Sequence, residues 1–385
     1  MKKIIYVDHA ATTPVDERVI KAMLPFFKEK FGNPSVIYDL GVEAKKAIEK
    51  SRNKIAELIN ASPDEIFFTS GGTESDNWAI KGIAEAYPEK KHIITSNIEH
   101  HAVLNPIEWL EAKGYEITYL KVDAQGLINS KDVEKAIRKD TLMVSIMHAN
   151  NEIGTIEPIE EIGRICREKN VIFHTDAVQT LGKLPIDIKK MNIDLLSASS
   201  HKIYGPKGVG MLYVRKDIKI TPLIHGGGQE RKMRSGTENV PGIVGFAKAL
   251  EIAHKNMNKE NEKLKQLTDY LKKEILSIEG AHLNGHPILR VPGNLNFWFE
   301  GIEGEGLIML LNEGGICAST GSACSTSSLK PSHVLTAIGI SPEHSHGSLR
   351  LTLGRSTTLK DVKFIAKIVK ASVEKLRSMS VTWRK

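Results

Sequence analysis

Cysteine is scarce in this chain: Cys166, Cys317 and Cys324 are the only three among 385 residues. An odd number with no CxxC pair supports neither a disulfide framework nor a zinc site, so a reducing cytosol is the expected compartment. Long apolar runs are missing as well. Behind Met1-Lys2-Lys3 only Ile4 to Val7 are apolar, too short for a signal-peptide core. Nothing approaches the ~18 apolar residues of a membrane span. A cytoplasmic protein without membrane contact follows as the expectation. No internal repeat is visible. A dominant block of one charge is absent too. The net charge is +7, yet Lys and Arg are spread along the chain and stretches such as Asn258 to Lys273 mix both signs. That pattern does not predict nucleic-acid binding. Its milder consequence is attraction of acidic partners or anionic small molecules.

What is present is a globular composition, 41% hydrophobic and 26% charged, in a chain long enough for two domains. Seven short β-rich runs punctuate the first two thirds: Ile66–Ser70, His92–Ser96, Glu116–Lys121, Leu142–Met147, Val171–Thr175, Asp194–Ser199 and Gly210–Val214. Amphipathic stretches such as Glu74–Tyr87, Ala102–Lys113 and Pro158–Lys169 lie between several of them. The alternation predicts an α/β fold with a largely parallel sheet, whose chemistry belongs just past the strand ends. After Gly226-Gly227-Gly228 the pattern changes to long helical stretches reaching about Ile278, then a strand near Asn294–Phe299. A Ser-rich loop, Ser319 to Ser328, and a final helix from about Leu359 follow. This predicts a large α/β domain over 15–255 and a smaller α+β domain made of 1–14 and 256–385.

Five places carry chemistry. Ser70-Gly71-Gly72-Thr73-Glu74-Ser75 sits between a strand and a helix. It is a candidate phosphate cradle, or equally a helix start capped by Ser70 or Thr73. Asp176, at a strand end, can hold a protonated heterocyclic nitrogen or cap a helix. Lys202 follows an apolar strand among small residues, where partial desolvation would make its amine nucleophilic; Lys207, in Gly-Pro-Lys-Gly, reads as an exposed turn. Cys324 lies in a polar loop, the setting of an accessible thiol, whereas Cys317 and Cys166 read as packed. His100 and His101 follow a strand and either could move protons near neutral pH.

The residues Tyr6-Val7-Asp8-His9-Ala10-Ala11-Thr12-Thr13-Pro14, Phe31-Gly32-Asn33-Pro34 and Thr69-Ser70-Gly71-Gly72-Thr73-Glu74-Ser75 resemble those of NifS/IscS-type cysteine desulfurases. So do His148-Ala149-Asn150-Asn151-Glu152-Ile153-Gly154, Ser200-His201-Lys202-Ile203-Tyr204-Gly205-Pro206-Lys207-Gly208 and Met233-Arg234-Ser235-Gly236-Thr237. Gly321-Ser322-Ala323-Cys324 and Arg350-Leu351-Thr352-Leu353-Gly354-Arg355 complete the series in family order, and the long Ser-rich Cys loop resembles the NifS/IscS branch. Tyr38 departs from the pattern, standing where the family often has His.

The resemblance implies the aminotransferase-like fold type I of pyridoxal 5'-phosphate (PLP) enzymes, as a homodimer. It implies that Lys202 bonds PLP, that Asp176 pairs with its pyridine nitrogen and Gln179 with its ring hydroxyl, and that His100 stacks on the ring and helps move protons. Gly72, Thr73, Ser199 and His201 would hold the phosphate, with Thr237 reaching in from the second subunit. Asn151 and Arg350 would bind the carboxylate side of L-cysteine, Asn151 also touching the cofactor. Cys324 would carry the sulfur as a persulfide to an iron–sulfur scaffold protein or a sulfur carrier for tRNA thiolation. No resident metal is implied, beyond a transient iron–sulfur cluster on Cys324. The alternatives are a selenocysteine lyase or an aminotransferase on the same fold, or a non-catalytic sulfur-relay partner.

Overall fold

The computed structural model describes residues 4–321, 331–380 and 383. The chain opens with β1 (Ile5–Tyr6) and then lays down β2 (Ile66–Thr69), β3 (His92–Ser96), β4 (Glu116–Leu120), β5 (Thr141–Ser145), β6 (Ile172–Asp176), β7 (Leu195–Ser199) and β8 (Gly210–Val214). The last seven form one sheet in the order β2-β8-β7-β6-β5-β3-β4. Only β8 runs antiparallel to its neighbours; the other pairs are parallel. These are the seven runs expected from the sequence, with ends shifted by one or two residues.

Side chains of a strand point alternately to the two faces, and here both faces are covered. Ile66, Phe68, Ile94, Val144, Leu196 and Met211 enter one apolar cluster with the helices Asp39–Leu58 and Ile159–Glu168. Their immediate neighbours Phe67, Ile93, Met143, Leu195 and Leu212 enter another, with the helices Gly72–Ala86 and His101–Glu111. The sheet is therefore the middle layer of three. β4, at the edge, is the least buried strand of the seven.

The long helical stretch expected beyond Gly228 is one helix of 37 residues, Val240–Leu276. The Asn239 side chain starts it by accepting from Gly242 N at 3.0 Å, and Pro241 stands in the first turn, where no intrahelical N–H is needed. Its first half packs Ile243, Phe246 and Leu250 into the cluster on the sheet. Its second half packs Leu267, Leu271 and Ile275 into a separate cluster. That cluster contains β9 (Ala281–Asn284), β10 (Asn294–Phe299) and β12 (Ser348–Thr352), an antiparallel sheet in the order β12-β10-β9. β11 (Ile316–Cys317) pairs parallel with β1, so the N-terminus joins the C-terminal part of the chain. The closing helix spans Leu359–Met379 and has a Thr358/Asp361 capping box. Among the described residues no helix is long and apolar enough to cross a membrane.

A buried ion pair ties the helix Asp39–Leu58 to the sheet. Arg52 donates to Glu230 at 2.9 and 2.6 Å and to the Ile66 carbonyl at 2.7 Å. Glu230 also accepts from Phe68 N at 2.9 Å. Removing one partner leaves the other charge desolvated. Glu230→Gln is expected to lower stability by about 3 kcal/mol in urea unfolding; a loss below about 1 kcal/mol would show the pair to be dispensable.

Candidate active site

Residues at the carboxyl ends of β2, β6 and β7 and in the loops after β3 and β5 meet in one cavity that leaves about 290 Å³ accessible to water. Gly72, Thr73, His100, Asn151, Asp176, Gln179, Ser199, His201, Lys202 and Arg350 all line it. Residues from 72 to 350 in sequence are thus brought together, as ten of the expected site positions.

The helix Gly72–Ala86 points its N-terminus at this space, and its N-cap is Gly71, with no capping side chain. Neither Ser70 nor Thr73 caps it, contrary to one of the two sequence readings: Ser70 N is instead tied to Glu74 at 2.8 Å. Glycine is required nearby for space. A Cβ on Gly72 would lie 2.7 Å from Val178 Cγ2, and one on Gly210 would lie 2.7 Å from Gly71 Cα. The backbone N–H groups of the helix start therefore face a cleft that no side chain fills.

Asp176 ends β6 and is 7% exposed. Its Oδ1 accepts from Val178 N at 2.8 Å, but a turn and not a helix follows, so the helix-cap reading of this residue does not hold. Burial pushes its carboxyl up to about 6, opposed by that hydrogen bond and by Lys202. Asp76, buried in the same wall, is raised by burial and by the charge of Asp176. One of its oxygens has no hydrogen-bond partner among the described residues. Two buried carboxyls this close do not both ionise freely.

Lys202 closes a short 3-10 turn, Ser200–Lys202, directly after β7. Its Nζ donates to the carbonyls of Ala10 and Ala11 at 2.6 and 2.8 Å. Gln179 Nε2 also donates to Ala10 O, at 3.1 Å. The Asp8–Thr13 segment is laced to both sides. His9 Nδ1 lies 2.8 Å from Thr352 O, Thr13 Oγ1 donates to His201 O at 2.9 Å, and His201 Nδ1 lies 3.0 Å from Thr12 Oγ1. Lys207, as expected, is exposed.

His100 is the one of the adjacent histidine pair that lines the cavity. Its Nδ1 accepts from Ala102 N at 3.0 Å and caps the helix His101–Glu111. That leaves the proton of the neutral ring on Nε2. Burial, then the charges of Lys202, His101 and His333, lower it to about 4. Arg350, on β12, is 2% exposed. Its Nη2 donates to Asp8 at 2.8 Å, and its Nη1 to Asn151 O at 3.0 Å and Gly321 O at 3.3 Å. Its Nε is buried without a partner among the described residues. The guanidinium is thus already shared among protein acceptors and keeps one donor in reserve.

Thr237 does not join this cavity. It is exposed and lines a separate one with Ser70, Glu230 and Arg234. Cys324 lies outside the described residues. Gly321, three positions before it, lines the main cavity. On the far side of that segment Ser332 is anchored to Glu152 at 2.6 Å. Cys317 is half-buried on β11, and Cys166 is buried, with its thiol pushed well up by burial. Tyr38 is exposed at the start of the helix Asp39–Leu58. Among the described residues no three His, Cys, Asp or Glu converge as metal ligands.

Sequence reasoning assigned no role to Asp8, Ala10, Ala11, Thr12 or Asp76. Ala10 and Ala11 act through main-chain carbonyls, which leave no side-chain signature. Asp8 stood in a quoted motif and Asp76 directly after one, where an acidic residue among apolar or small ones was the available signal.

The chain matches the family model described as aminotransferase class-V over residues 5–365. It is 58% identical to the cysteine desulfurase IscS of Methanosarcina thermophila, covering 98% of this chain and 94% of that one. It is 55% identical to the cysteine desulfurase IscS of Dictyoglomus turgidum, covering 99% and 97%. Among solved structures, a NifS-like protein superposes with a TM-score of 0.92 at 42% identity, covering 97% of this chain and all of the other. A structure titled SspA in complex with cysteine superposes with a TM-score of 0.82, also at 42% identity, covering 90% and 98%.

His148, next to the cavity, gives a test of how the site titrates. Burial alone lowers it to about 4, against 6.5 in the open chain, and its Nδ1 is unpartnered among the described residues. The folded value is the lower one, so the unfolded chain takes up the proton first, and stability is lost as pH falls from 6.5 towards 4. Between pH 7 and 5.5, His148→Gln is expected to lose about 1 kcal/mol less than the wild type in urea unfolding. Parallel stability–pH curves would show His148 to be readily protonated in the fold.

Proposed function

We propose, for a chain that belongs to the class-V aminotransferase family and whose nearly full-length relatives are cysteine desulfurases, that it removes sulfur from L-cysteine, giving L-alanine and a persulfide on Cys324. The observation that carries this reading is the single cavity at the strand ends in which Lys202, Asp176, His100 and Arg350 meet.

The cofactor of the family is PLP, and the residues present fit it. The uncapped helix start at Gly72, kept open by the close approach of Val178, suits a phosphate. Ser199, His201 and Thr73 line the same wall. Asp176, buried at the end of β6, suits a protonated pyridine nitrogen, whose charge would favour the ionised carboxylate there. Gln179 stands within reach as the partner of the ring hydroxyl, and Lys202 supplies the amine that bonds the aldehyde. When bound, PLP supplies an electron sink at the substrate α-carbon.

The chain's own residues do the rest. Arg350 grips the cysteine carboxylate through its unpartnered Nε and by exchanging one of its carbonyl contacts, with Asn151 beside it. Lys202 Nζ, once displaced, takes the α-proton. His100, neutral with its proton on Nε2, would lie against the ring and donate a hydrogen bond from Nε2 towards the substrate. The Cys324 thiolate attacks the substrate sulfur; an S–S bond forms, the C–S bond breaks, and its electron pair stays with the carbon that becomes the alanine methyl. Cysteine and thiol give alanine and persulfide without an external oxidant.

The protein acts as a homodimer in this reading. Leu24, Phe27, Phe31 and Ile37 are between 56% and 93% exposed, an apolar surface in need of cover. Thr237, exposed and outside its own chain's cavity, reaches the phosphate of the second copy. Residues 15–255 act as the cofactor domain and 1–14 with 256–385 as the smaller one, in the cytoplasm. The sulfur acceptor is an iron–sulfur scaffold protein or a sulfur carrier for tRNA thiolation.

The purified protein is expected to be yellow and to form alanine from L-cysteine. Cys324→Ser should stay yellow and lose alanine formation; alanine formation unaffected by this change would turn the reading to a lyase. Lys202→Ala should lose the visible band of the bound cofactor, and a retained band would remove Lys202 from its role. Arg350→Ala should weaken the dependence on cysteine concentration by about 2–5 kcal/mol, and an unchanged dependence would rule out the clamp.

A further inference from the structure

Arg350 meets a carboxylate before any substrate arrives. Its Nη2 donates to Asp8 Oδ1 at 2.8 Å, whereas the acceptors on Nη1, Asn151 O and Gly321 O, are uncharged carbonyls. The Arg350 side chain is 3% exposed and that of Asp8 17%, so the pair is largely withdrawn from solvent. Arg350 lines the main cavity and Asp8 does not. Asp8 therefore acts on a ligand through the guanidinium and not by touching it.

The main chain holds Asp8 in this place. It stands opposite Thr352, two residues along β12 from Arg350. Thr352 N donates to Val7 O at 2.7 Å, and Ala10 N donates to Thr352 Oγ1 at 2.9 Å, so the chain on both sides of Asp8 is tied to one residue of that strand. Asp8 O accepts from Tyr6 Oη at 2.9 Å and from Ala11 N at 3.0 Å.

A substrate carboxylate thus joins Asp8 on the guanidinium and does not replace it. Two carboxylates on one guanidinium repel each other, and burial leaves that repulsion poorly screened. A buried guanidinium with no counter-ion would instead draw in any anion that fits. We propose that Asp8 is a specificity-determining residue. Its standing negative charge lowers the affinity of Arg350 for carboxylates, so that simple anions are held weakly and a ligand is retained only when its amine also bonds the cofactor. The alanine product carries the same carboxylate as the substrate, so its departure is eased by the same charge. This deepens the desulfurase reading and rests on Arg350 binding the substrate carboxylate.

The test uses the holoenzyme and three ligands. L-Alanine, with amine and carboxylate, and methylamine, with the amine alone, are titrated by the change in the visible cofactor band. Propionate, with the carboxylate alone, is titrated as an inhibitor of alanine formation from L-cysteine. Asp8→Asn keeps an oxygen for Arg350 Nη2 and removes the charge. In this variant L-alanine and propionate should bind about tenfold more tightly than in the wild type, with methylamine unchanged. Unchanged or weaker binding of the two carboxylates overturns the proposal, and so does methylamine binding that tightens as much as theirs. Should Asp8→Asn not hold the cofactor, Asp8→Glu decides: it keeps the charge, and propionate held more tightly there than in the wild type overturns the proposal. Arg350→Ala separates the two readings. L-Alanine binding unaffected by that change removes the clamp and the proposal with it. Binding weakened in Arg350→Ala but unchanged in Asp8→Asn removes only the role of Asp8.

Discussion

The Arg350 guanidinium, 2% exposed, is the charge around which the site is arranged. A buried guanidinium is tolerated only where its donors are taken up. Asp8 takes one, and the carbonyls of Asn151 and Gly321 share another. Those three acceptors belong to the N-terminal segment, the loop after β5, and the start of the stretch that leads to Cys324. One side chain thus fixes three pieces of backbone that are remote in sequence. The N-terminal segment then carries the constraint onward. Two residues past Asp8, Ala10 and Ala11 receive Lys202 Nζ, while Thr13 binds His201 O. Arg350 and Lys202 are in this way ends of one hydrogen-bonded chain.

That network needs a rigid support. It is provided by a sheet covered on both faces and by a helix of 37 residues whose two halves belong to different apolar clusters. The residues of the site sit at strand ends, where backbone direction is set by the ladder and the next residue is free to turn. Asp176 and Ser197 are partners across β6 and β7, and Ser199 faces Gly210 across β7 and β8.

Desolvation gives the site its electrostatic character. His100, His148 and His201 are each held near 4, so each is neutral at physiological pH. Asp176 and Asp76 are both raised. Neutral imidazoles can each donate one hydrogen bond and accept another without carrying a charge, and a carboxyl poised near 6 answers strongly to an incoming cation. The same low dielectric makes each charge act over a longer range.

Much of this was legible in the sequence. β-branched and apolar residues in runs of about five located all seven strands of the large sheet, because strands covered on both faces read as nearly continuous apolar runs. Asp176 and Lys202 were found because charged residues directly after such runs interrupt the pattern, whereas Ser199 came only from the motif resemblance. The motif resemblance named the family, since side-chain chemistry is written in the sequence directly. What the sequence did not contain is distance. Ser70 and Thr73 were both open as caps, and in the fold Gly71 is the N-cap with no capping side chain. Spacing left His100 and His101 open, the resemblance chose His100, and His100 is the ring that lines the cavity. The acceptors of Lys202 are main-chain carbonyls that any residue would carry. Residue types and their periodicity determined the elements and the repertoire of chemistry; which charges are desolvated, and beside which others, depends on contacts between residues hundreds of positions apart, and only the tertiary structure decided it.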